Sequence, residues 1–252
     1  MKTFCFTLDD NIRFLKEITE NGYKNIFEHP YLAMFKRLHN EFDLKVQLNL
    51  FYKTDSFNLS QFSSEYLNQW KENAHWLKLS FHSDFEKPCP YEYSGYDEVF
   101  FDCKKVNDEI IRFASNKVLA KTTTIHYCLA TDDGLKALEN NKVKGLLGLF
   151  DGGTSYGICE EDANKLRDGK IIKRGKMSYA PIDIVLNNFS KEEILTKLQK
   201  LNGRKNINVM IHEQYFYSDY VRYQPDFEEK LKATFSFLVS NGYKSSFLED
   251  LI

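Results

Sequence analysis

The sequence has no apolar run of membrane-spanning length and no basic run or stripe. Its formal net charge is −2 over 252 residues, so overall electrostatics give no indication of nucleic-acid binding. Residues 1–8 have the pattern of a β-strand, with no basic segment followed by an apolar one, so no signal peptide is expected. We therefore expect a cytoplasmic protein that has no transmembrane segment and no nucleic-acid partner.

Cysteine and tryptophan are both scarce. The five cysteines are an odd number, and no two of them have C-x-x-C spacing, so neither a disulfide framework nor a structural zinc knot is expected. Tryptophan occurs only twice, whereas 21 phenylalanines and 15 tyrosines raise the aromatic content to 15%. Most of these rings are expected in the core, and those in loops would suit a ligand with a flat apolar face, such as a sugar ring.

Short apolar, β-rich runs alternate with helical patterns along the chain. The predicted strands are residues 3–8, 44–52, 76–82, 121–128, 145–150, 182–187 and 207–212, with a weaker eighth at 244–248. The predicted helices are residues 9–20, 30–42, 60–73, 102–118, 132–141, 190–202 and 226–241.

This alternation is typical of parallel strands joined by crossover helices. Seven or eight such units favour a closed barrel, with an open doubly wound sheet as the alternative. We therefore predict an α/β fold, a distorted (β/α)7-8 barrel with parallel strands and outer helices, as a single domain over residues 1–252.

The longest irregular stretch is residues 151–181, which is too long for an ordinary connection. It is rich in glycine and charged residues. We expect a long loop or lid there, or a small excursion such as a β-hairpin, within the single domain. Gly152-Gly153 is predicted to be a turn, because no Lys-Ser/Thr pair follows it as in a phosphate-binding loop.

Side chains that can bind metals or move protons stand where the predicted strands end. Asp9 and Asp10 follow the first strand, His82 ends the third, His126 lies near the end of the fourth and His212 ends the seventh. Because the carboxyl ends of parallel barrel strands share one face, these five side chains are expected to converge.

Each of them alone has a simpler structural interpretation. Asp9 and Asp10 could cap the helix that follows, and single histidines at strand ends are usually hydrogen-bonded surface residues. Cys128 follows His126 by two positions and is predicted to be a buried free thiol. We interpret the other three histidines, His29, His39 and His75, as structural or solvated. The functional interpretation depends on the set as a whole.

Three of the strand ends resemble motifs of the polysaccharide deacetylase superfamily, whose members share the NodB-homology domain. Thr7-Leu8-Asp9-Asp10 resembles the first motif, T-F-D-D, and His82-Ser83 resembles the start of the second, H-[ST]-x-x-H. Met210-Ile211-His212-Glu213 resembles the last motif, an apolar strand that ends in His-Asp. The three occur in the family's order and span nearly the whole chain.

The resemblance implies a role for each matched residue. Asp9 would be the general base, Asp10 and His82 would be metal ligands, and His212 would be the general acid. It also implies a hydrolase that uses a divalent metal to remove an N- or O-acyl group from a sugar. Imidazole and carboxylate ligands suit zinc first, with cobalt, nickel or iron as alternatives.

The sequence departs from the family pattern in three places. Glu86 stands where the second motif has its second histidine, so we predict Glu86 as a metal ligand, with Asp84 as a competitor or a substrate contact. The arginine-containing third motif is absent, and His126 lies near where it would be expected, as a third ligand or a substrate contact. The tryptophan-bearing fourth motif has no good match; Asp183 is a loose candidate.

The segment after the seventh strand is rich in aromatic residues. We predict that Tyr215 and Tyr217 line the substrate site together with Asn49 and Glu213. Since no signal peptide is visible, the expected substrate is a small molecule or oligosaccharide, such as a nucleotide-linked or lipid-linked sugar, and not an extracellular polymer. The sequence gives no indication of the oligomeric state.

Two other functions fit the same residues. The first is a metal-free glycosidase-like barrel that uses two carboxylates, for example Asp9 or Asp10 with Glu213. The second is a catalytically inactive barrel that binds carbohydrate without metal or turnover. Metal content separates both alternatives from the metal-dependent hydrolase.

Overall fold

Ten β-strands alternate with eight α-helices in the computed structural model, which describes residues 1–151 and 155–252. The strands are β1 (Lys2–Asn11), β2 (Val46–Lys53), β3 (Leu77–Phe85), β4 (Thr122–Thr123), β5 (Gly145–Gly148), β6 (Ile172–Arg174), β7 (Met177–Pro181), β8 (Ile184–Val185), β9 (Asn206–His212) and β10 (Tyr243–Ser245). The helices are α1 (Arg13–Asn21), α2 (Pro30–Phe42), α3 (Leu67–Glu72), α4 (Tyr96–Ala114), α5 (Asp132–Asn140), α6 (Glu160–Arg167), α7 (Lys191–Leu201) and α8 (Phe227–Ser240).

The strands form two sheets. One has the order β3-β2-β1-β9-β8, with β10 also paired to β1, and the other has the order β4-β5-β7-β6. Every pair is parallel except β6 with β7. Strand β10 pairs with Lys2–Phe4, whereas β2 pairs only from Thr7 onward, so the two strands use different parts of β1.

The two sheets meet at two seams to form the barrel. Leu79 of β3 makes a parallel bridge with Leu119, just before β4. At the other seam, the backbone N–H of Ile182 donates to the carbonyl of Gly148 at 2.8 Å, and that of Asp183 donates to the carbonyl of Asn208 at 2.9 Å. The predicted (β/α) barrel with parallel strands and outer helices is therefore confirmed. Because β4 and β8 have two residues each, the barrel is distorted.

Strand β1 shows how its sequence suits this position. Phe4 and Phe6 point outward and pack on Phe235 of α8, and Phe6 also contacts Phe35 of α2. The alternate residue Thr3 points inward, where its hydroxyl donates to Asn206 of β9 at 3.0 Å. A strand covered on both faces in this way is the normal state of a parallel barrel strand.

Residues 151–181 were predicted to be a long loop or lid, or a small excursion such as a β-hairpin. Their described part carries regular structure. It contains α6 and the antiparallel hairpin of β6 and β7, and β7 pairs with β5 as a strand of the barrel. The predicted strand 182–187 is correspondingly short, with only Ile184–Val185 as β8 before a 3-10 turn at Leu186–Asn188. The turn predicted at Gly152-Gly153 lies outside the described residues.

None of the helices in the described residues combines the length and apolar composition that crossing a membrane requires. The buried apolar side chains of these residues form one core cluster that includes both sheets and the helices around them.

Candidate metal centre

The end of β1 supplies two consecutive carboxylates to the same region. In a regular strand, neighbouring side chains point to opposite faces. Here Asp10 has a positive φ of 62°, and the pairing with β2 shifts register between Leu8 and Asn11. This irregularity turns the Asp10 carboxylate toward His82, while Asp9 stays buried on the inward face and accepts a hydrogen bond from Asn49 at 2.6 Å.

Asp10, His82 and His126 form a cluster of three possible metal ligands. The distance from His82 Nε2 to Asp10 Oδ1 is 3.0 Å, and that from His82 Nε2 to His126 Nδ1 is 3.1 Å. The third side of the triangle, from His126 Nδ1 to Asp10 Oδ1, is 3.3 Å. Ligand atoms bound tetrahedrally to zinc at ~2.0–2.1 Å lie about 3.3 Å apart, so this donor set fits a divalent ion.

Neighbouring groups orient two of the three ligands. His82 Nδ1 donates to the backbone carbonyl of Thr124 at 2.5 Å, which leaves Nε2 as the nitrogen that faces the cluster. Asp10 Oδ2 accepts from the side-chain amide of Gln214 at 2.8 Å, which leaves Oδ1 for the cluster. Contacts of this kind fix the tautomer and direction of metal ligands in proteins.

The electrostatics of the cluster favour a cation. Burial raises the pKa of Asp9 above its usual value, although His82 and His212 oppose the shift. Burial acts in the same direction on Asp10, but hydrogen bonds to His126 and His82 outweigh it and hold that pKa well below its usual value. For His82 burial acts to lower the pKa, and the charges of Asp9 and Asp10 outweigh it and raise the pKa. Positive charge is therefore stabilised at the centre.

His126 reaches the cluster from an irregular turn and not from a strand. The predicted strand 121–128 ends as β4 at Thr123, and His126–Cys128 is a 3-10 turn in which Tyr127 and Cys128 have positive φ values of 63° and 55°. Such conformations are unfavourable for residues with a side chain, and they often occur at functional sites. The ring of Phe51 packs edge-on against His126 at 5.0 Å and supports it from the side of β2.

His212 lies beside the triad, directly across from Asp9 in the register of β1 and β9. Its Nδ1 is 2.8 Å from Asn187 Oδ1, which lies in the turn after β8. The ring of Tyr215 lies 6.2 Å from the His212 ring. Asp9 and His212 therefore flank one side of the three possible ligands.

Glu86 and Asp84, the predicted ligand and its competitor, lie outside the triad. Strand β3 continues to Phe85, so the residue four positions after His82 is carried past the cluster, and Glu86 is exposed. Asp84 is 2.9 Å from Lys53 Nζ and 2.5 Å from Lys105 Nζ, and these ion pairs hold its pKa below the usual value despite partial burial. The third possible ligand beside Asp10 and His82 is therefore His126 and not Glu86.

Three of the predicted substrate contacts are buried support residues. Glu213 accepts the backbone N–H groups of Ile12, Arg13 and Phe14 at 2.7, 3.0 and 2.8 Å, and so caps α1. The buried hydroxyl of Tyr217 donates to Glu213 at 2.9 Å. Asn49, the third of them, is fully buried behind Asp9. Tyr215, another predicted substrate contact, is partly buried beside His212.

Burial raises the pKa of Glu213 to about 7, although its backbone donors act to lower it. These donors occupy both carboxylate oxygens, which disfavours Glu213 as the second carboxylate of a glycosidase pair.

A cleft of about 290 Å³ leads to Asp10. Its lining includes Phe51, Phe85, Glu86, Gln214 and Tyr220. A larger hollow of about 680 Å³ lies at the opposite end of the strands and includes none of the predicted site residues. The chemistry of the side chains therefore identifies the smaller cleft as the candidate site.

Thr124, Asn187 and Gln214 were not predicted as site residues. Asn187 ends the predicted sixth strand, so the strand-end argument that selected the histidines could have selected it too. Gln214 follows His212 by two residues, a spacing that by itself indicates nothing. Thr124 contributes only its backbone carbonyl, so no side-chain pattern could have identified it. Cys128 is buried, and burial raises the pKa of its thiol to about 12, which agrees with the predicted free thiol.

No family model matches the chain, and no curated protein matches it in sequence. Among solved structures it is similar to a family 4 acetyl xylan esterase from Clostridium thermocellum in complex with a cobalt ion, with a TM-score of 0.56 and 12% identity over 99% of this chain and 90% of that one. A CE4 family pseudoenzyme from Bacillus anthracis gives a TM-score of 0.55 and 13% identity, over 99% and 65% of the two chains. A 4-alpha-glucanotransferase from Thermococcus litoralis gives 0.65 and 14%, over 99% and 40%.

Identities this low show a shared fold and nothing more. The chain has the (β/α) barrel of the polysaccharide deacetylases, so the resemblance predicted from the three motifs is confirmed at the level of the fold. The same barrel occurs in an esterase, a pseudoenzyme and a glucanotransferase. The function must therefore be argued from the site.

Proposed function

We propose that the protein is a hydrolase that uses a divalent metal to remove an N- or O-acyl group from a sugar or glycan precursor. The observation that carries this proposal is the triangle of Asp10, His82 and His126, with sides of 3.0 to 3.3 Å, flanked by Asp9 and His212. The acetyl xylan esterase, and a peptidoglycan N-acetylglucosamine deacetylase of the same fold, support the class of reaction by analogy.

Asp10, His82 and His126 would hold the metal, with zinc as the first choice and cobalt, nickel or iron as alternatives. A divalent cation in this position supplies Lewis acidity toward an acyl carbonyl. The cleft walls of Phe51 and Phe85 exclude water from one side of the site and offer apolar surface to a sugar ring.

Asp9 and His212 divide the proton transfers. One oxygen of Asp9 is held by Asn49, and the other is free to take the proton of an attacking water. Because burial raises the pKa of Asp9, it is a stronger base than an exposed aspartate. His212 directs its Nδ1 proton toward Asn187, so the second proton of its imidazolium form is carried on Nε2, and Nε2 is the atom that can deliver that proton to the leaving nitrogen or oxygen.

Metal analysis of the wild type beside Asp10→Ala and His82→Ala tests the centre. We expect near-stoichiometric divalent metal in the wild type and loss of it in both variants, with Glu20→Ala on the exposed face of α1 as a matched control that keeps the metal. A wild type that takes up no metal even after reconstitution would rule out the metal-dependent reaction.

A screen of acetylated sugars tests the reaction itself. We expect Asp9→Asn and His212→Gln to keep the metal and to lose activity, by about 10²–10⁴-fold for each group that transfers a proton. Metal loss in either variant would instead place that residue among the ligands.

A second candidate is a barrel that binds an acylated sugar without hydrolysing it. It is favoured by the absence of the family's third-motif arginine, and one structure with this barrel is described as a pseudoenzyme. Calorimetric titration with acetylated sugars separates the two candidates: binding to wild type that holds no metal, with no product after long incubation, supports the second one.

A further inference from the structure

A series of partly buried polar contacts connects His212 to helix α8. Lys230 of α8 is only 5% exposed, and its Nζ donates to Gln224 Oε1 at 2.9 Å. The amide of Gln224 donates to the backbone carbonyl of Asn187 at 2.7 Å. Asn187 Oδ1 in turn lies 2.8 Å from His212 Nδ1. None of these contacts reaches the metal ligands, and sequence patterns did not indicate them.

The donor and the acceptor of each of these hydrogen bonds can be assigned. An ammonium group can only donate, so Lys230 turns the oxygen of the Gln224 amide toward itself and the NH₂ group toward Asn187. The side-chain NH₂ of Asn187 donates to Asn188 Oδ1 at 3.0 Å, which leaves Asn187 Oδ1 for His212. His212 Nδ1 must then be the donor, and in the neutral ring Nε2 is left without a proton.

We infer that Gln224 and Lys230 are positioning residues that hold the Asn187 turn and thereby fix the tautomer and ring direction of His212. The part of this inference that concerns catalysis rests on the proposed function, in which His212 transfers a proton. The part that concerns the tautomer stands on the hydrogen bonds alone.

The burial of Lys230 supports a role beyond packing. The other buried residues of α8 are mostly apolar, namely Phe227, Leu231, Thr234, Phe235 and Leu238. Removing an ammonium from water is unfavourable unless it is well paired, and the carboxylate nearest to Lys230, Asp226, is half-exposed at 3.5 Å. An apolar residue would pack there without that penalty, whereas Lys230 sets the direction of the Gln224 amide.

Gln224→Glu is the most informative variant. It keeps an acceptor for Lys230, and even adds an ion pair, but it removes the N–H donor to Asn187. Lys230→Met removes the ammonium group that donates to Gln224 and keeps most of the side-chain volume. Lys232→Met, at a half-exposed lysine on the same helix, is the matched control.

The direct readout is the protonated nitrogen of His212 in long-range ¹⁵N–¹H spectra, recorded at a pH above the titration range of imidazole and assigned with His212→Gln. We expect the Nδ1–H tautomer alone in the wild type and in Lys232→Met, and a mixture of tautomers in Gln224→Glu and Lys230→Met. With an active substrate, both variants should lose about tenfold in kcat, with KM and metal content unchanged.

A His212 that remains entirely Nδ1–H in a folded Gln224→Glu variant would overturn the inference, and the contacts would then only support packing. If Lys230→Met fails to fold, Gln224→Glu decides alone. Because the tautomer is measured without turnover, a protein that hydrolyses no acyl sugar would count against the proposed function and leave this test intact.

Discussion

The third metal ligand is one of two side chains, and a single substitution at each position tests which. Glu86 and His126 were both candidates in the sequence, and the structure places His126 within 3.3 Å of the other two ligands while Glu86 is exposed. We therefore expect His126→Ala to weaken metal binding by more than ~100-fold, beyond what the loss of a supporting contact does, and Glu86→Gln to leave it unchanged. Competition with a chromophoric chelator measures both affinities.

His75→Ala is the matched control for this comparison, because His75 is an exposed histidine outside the site. Weak metal binding in Glu86→Gln together with normal binding in His126→Ala would restore the ligand set predicted from the family motif.

His29 gives a separate residue-scale prediction, on stability. It is buried, its Nδ1 accepts the backbone N–H of Tyr31 at the start of α2 (3.3 Å), and its Nε2 lies 2.9 Å from Glu17. Burial lowers the pKa of His29 below 6.5, although Glu17 opposes the shift. The unfolded chain therefore binds a proton more readily, so this contribution to stability is present above pH 6.5 and is lost as the pH falls below it.

Urea unfolding at about pH 7.5 and pH 5.5, on either side of the usual imidazole pKa, measures this effect. The wild type should lose more stability between the two values than His29→Asn, which keeps a helix-capping oxygen and does not titrate. Equal losses in the two proteins would show that His29 does not contribute to the pH dependence.

Much of the site could be predicted from single residues because its side chains lie at the ends of strands, which the sequence indicates. Asp10, His82 and His126 each follow or end an apolar run, and parallel strands bring such positions together. Glu86 could not be judged in this way, because the sequence does not show that β3 continues to Phe85 before the chain turns.

At the scale of elements, α1 depends on a residue from another strand. Its N-cap position is Ile12, which has no capping side chain, and its first turn has no acidic residue. The expectation that Asp9 and Asp10 might cap this helix is therefore wrong: α1 begins at Arg13, and Glu213 at the end of β9 accepts its free N–H groups.

Glu213→Gln should therefore destabilise the protein by about 1–3 kcal/mol, because an amide NH₂ would replace one of the two accepting oxygens and meet backbone N–H donors. Denaturant unfolding at about pH 8 measures this loss, since the Glu213 pKa of about 7 leaves the carboxylate ionised there. Glu20→Gln on the exposed face of α1 should change stability little. If both variants change the free energy of unfolding equally, Glu213 does not cap α1.

Elements were predictable where they are long and apolar. The predicted strands 3–8, 44–52, 76–82 and 207–212 correspond to β1, β2, β3 and β9. The predicted strands 121–128 and 182–187 contain β4 and β8 but are too long, because only two residues of each pair with a neighbouring strand. Strand β7 was not among the predicted strands because its sequence, Met-Ser-Tyr-Ala-Pro, has no β-branched residue and ends in proline, although every residue is buried.

On the scale of the whole molecule, the candidate centre joins the two sheets. Asp10 and His82 belong to the sheet that contains β1 and β3, whereas His126 follows β4 in the other sheet. Between these sheets, β3 and the chain before β4 share a single isolated bridge, at Leu79 and Leu119. A metal ion held by all three ligands would therefore connect two parts of the barrel that backbone hydrogen bonds join only weakly at this seam.

Metal binding should accordingly stabilise the whole barrel. An ion that binds only the folded state adds about 2.7 kcal/mol at a free concentration 100 times its Kd, which corresponds to a rise in Tm of roughly 5–10 °C for a chain of this size. Calorimetry of the metal-free protein with and without zinc measures the rise, and His126→Ala should abolish it while His75→Ala preserves it. A rise that survives in His126→Ala would mean that zinc binds elsewhere or that Asp10 and His82 hold it without the second sheet. Loss of the rise in His126→Ala but not in His75→Ala would show that zinc stabilises the barrel through ligands from both sheets.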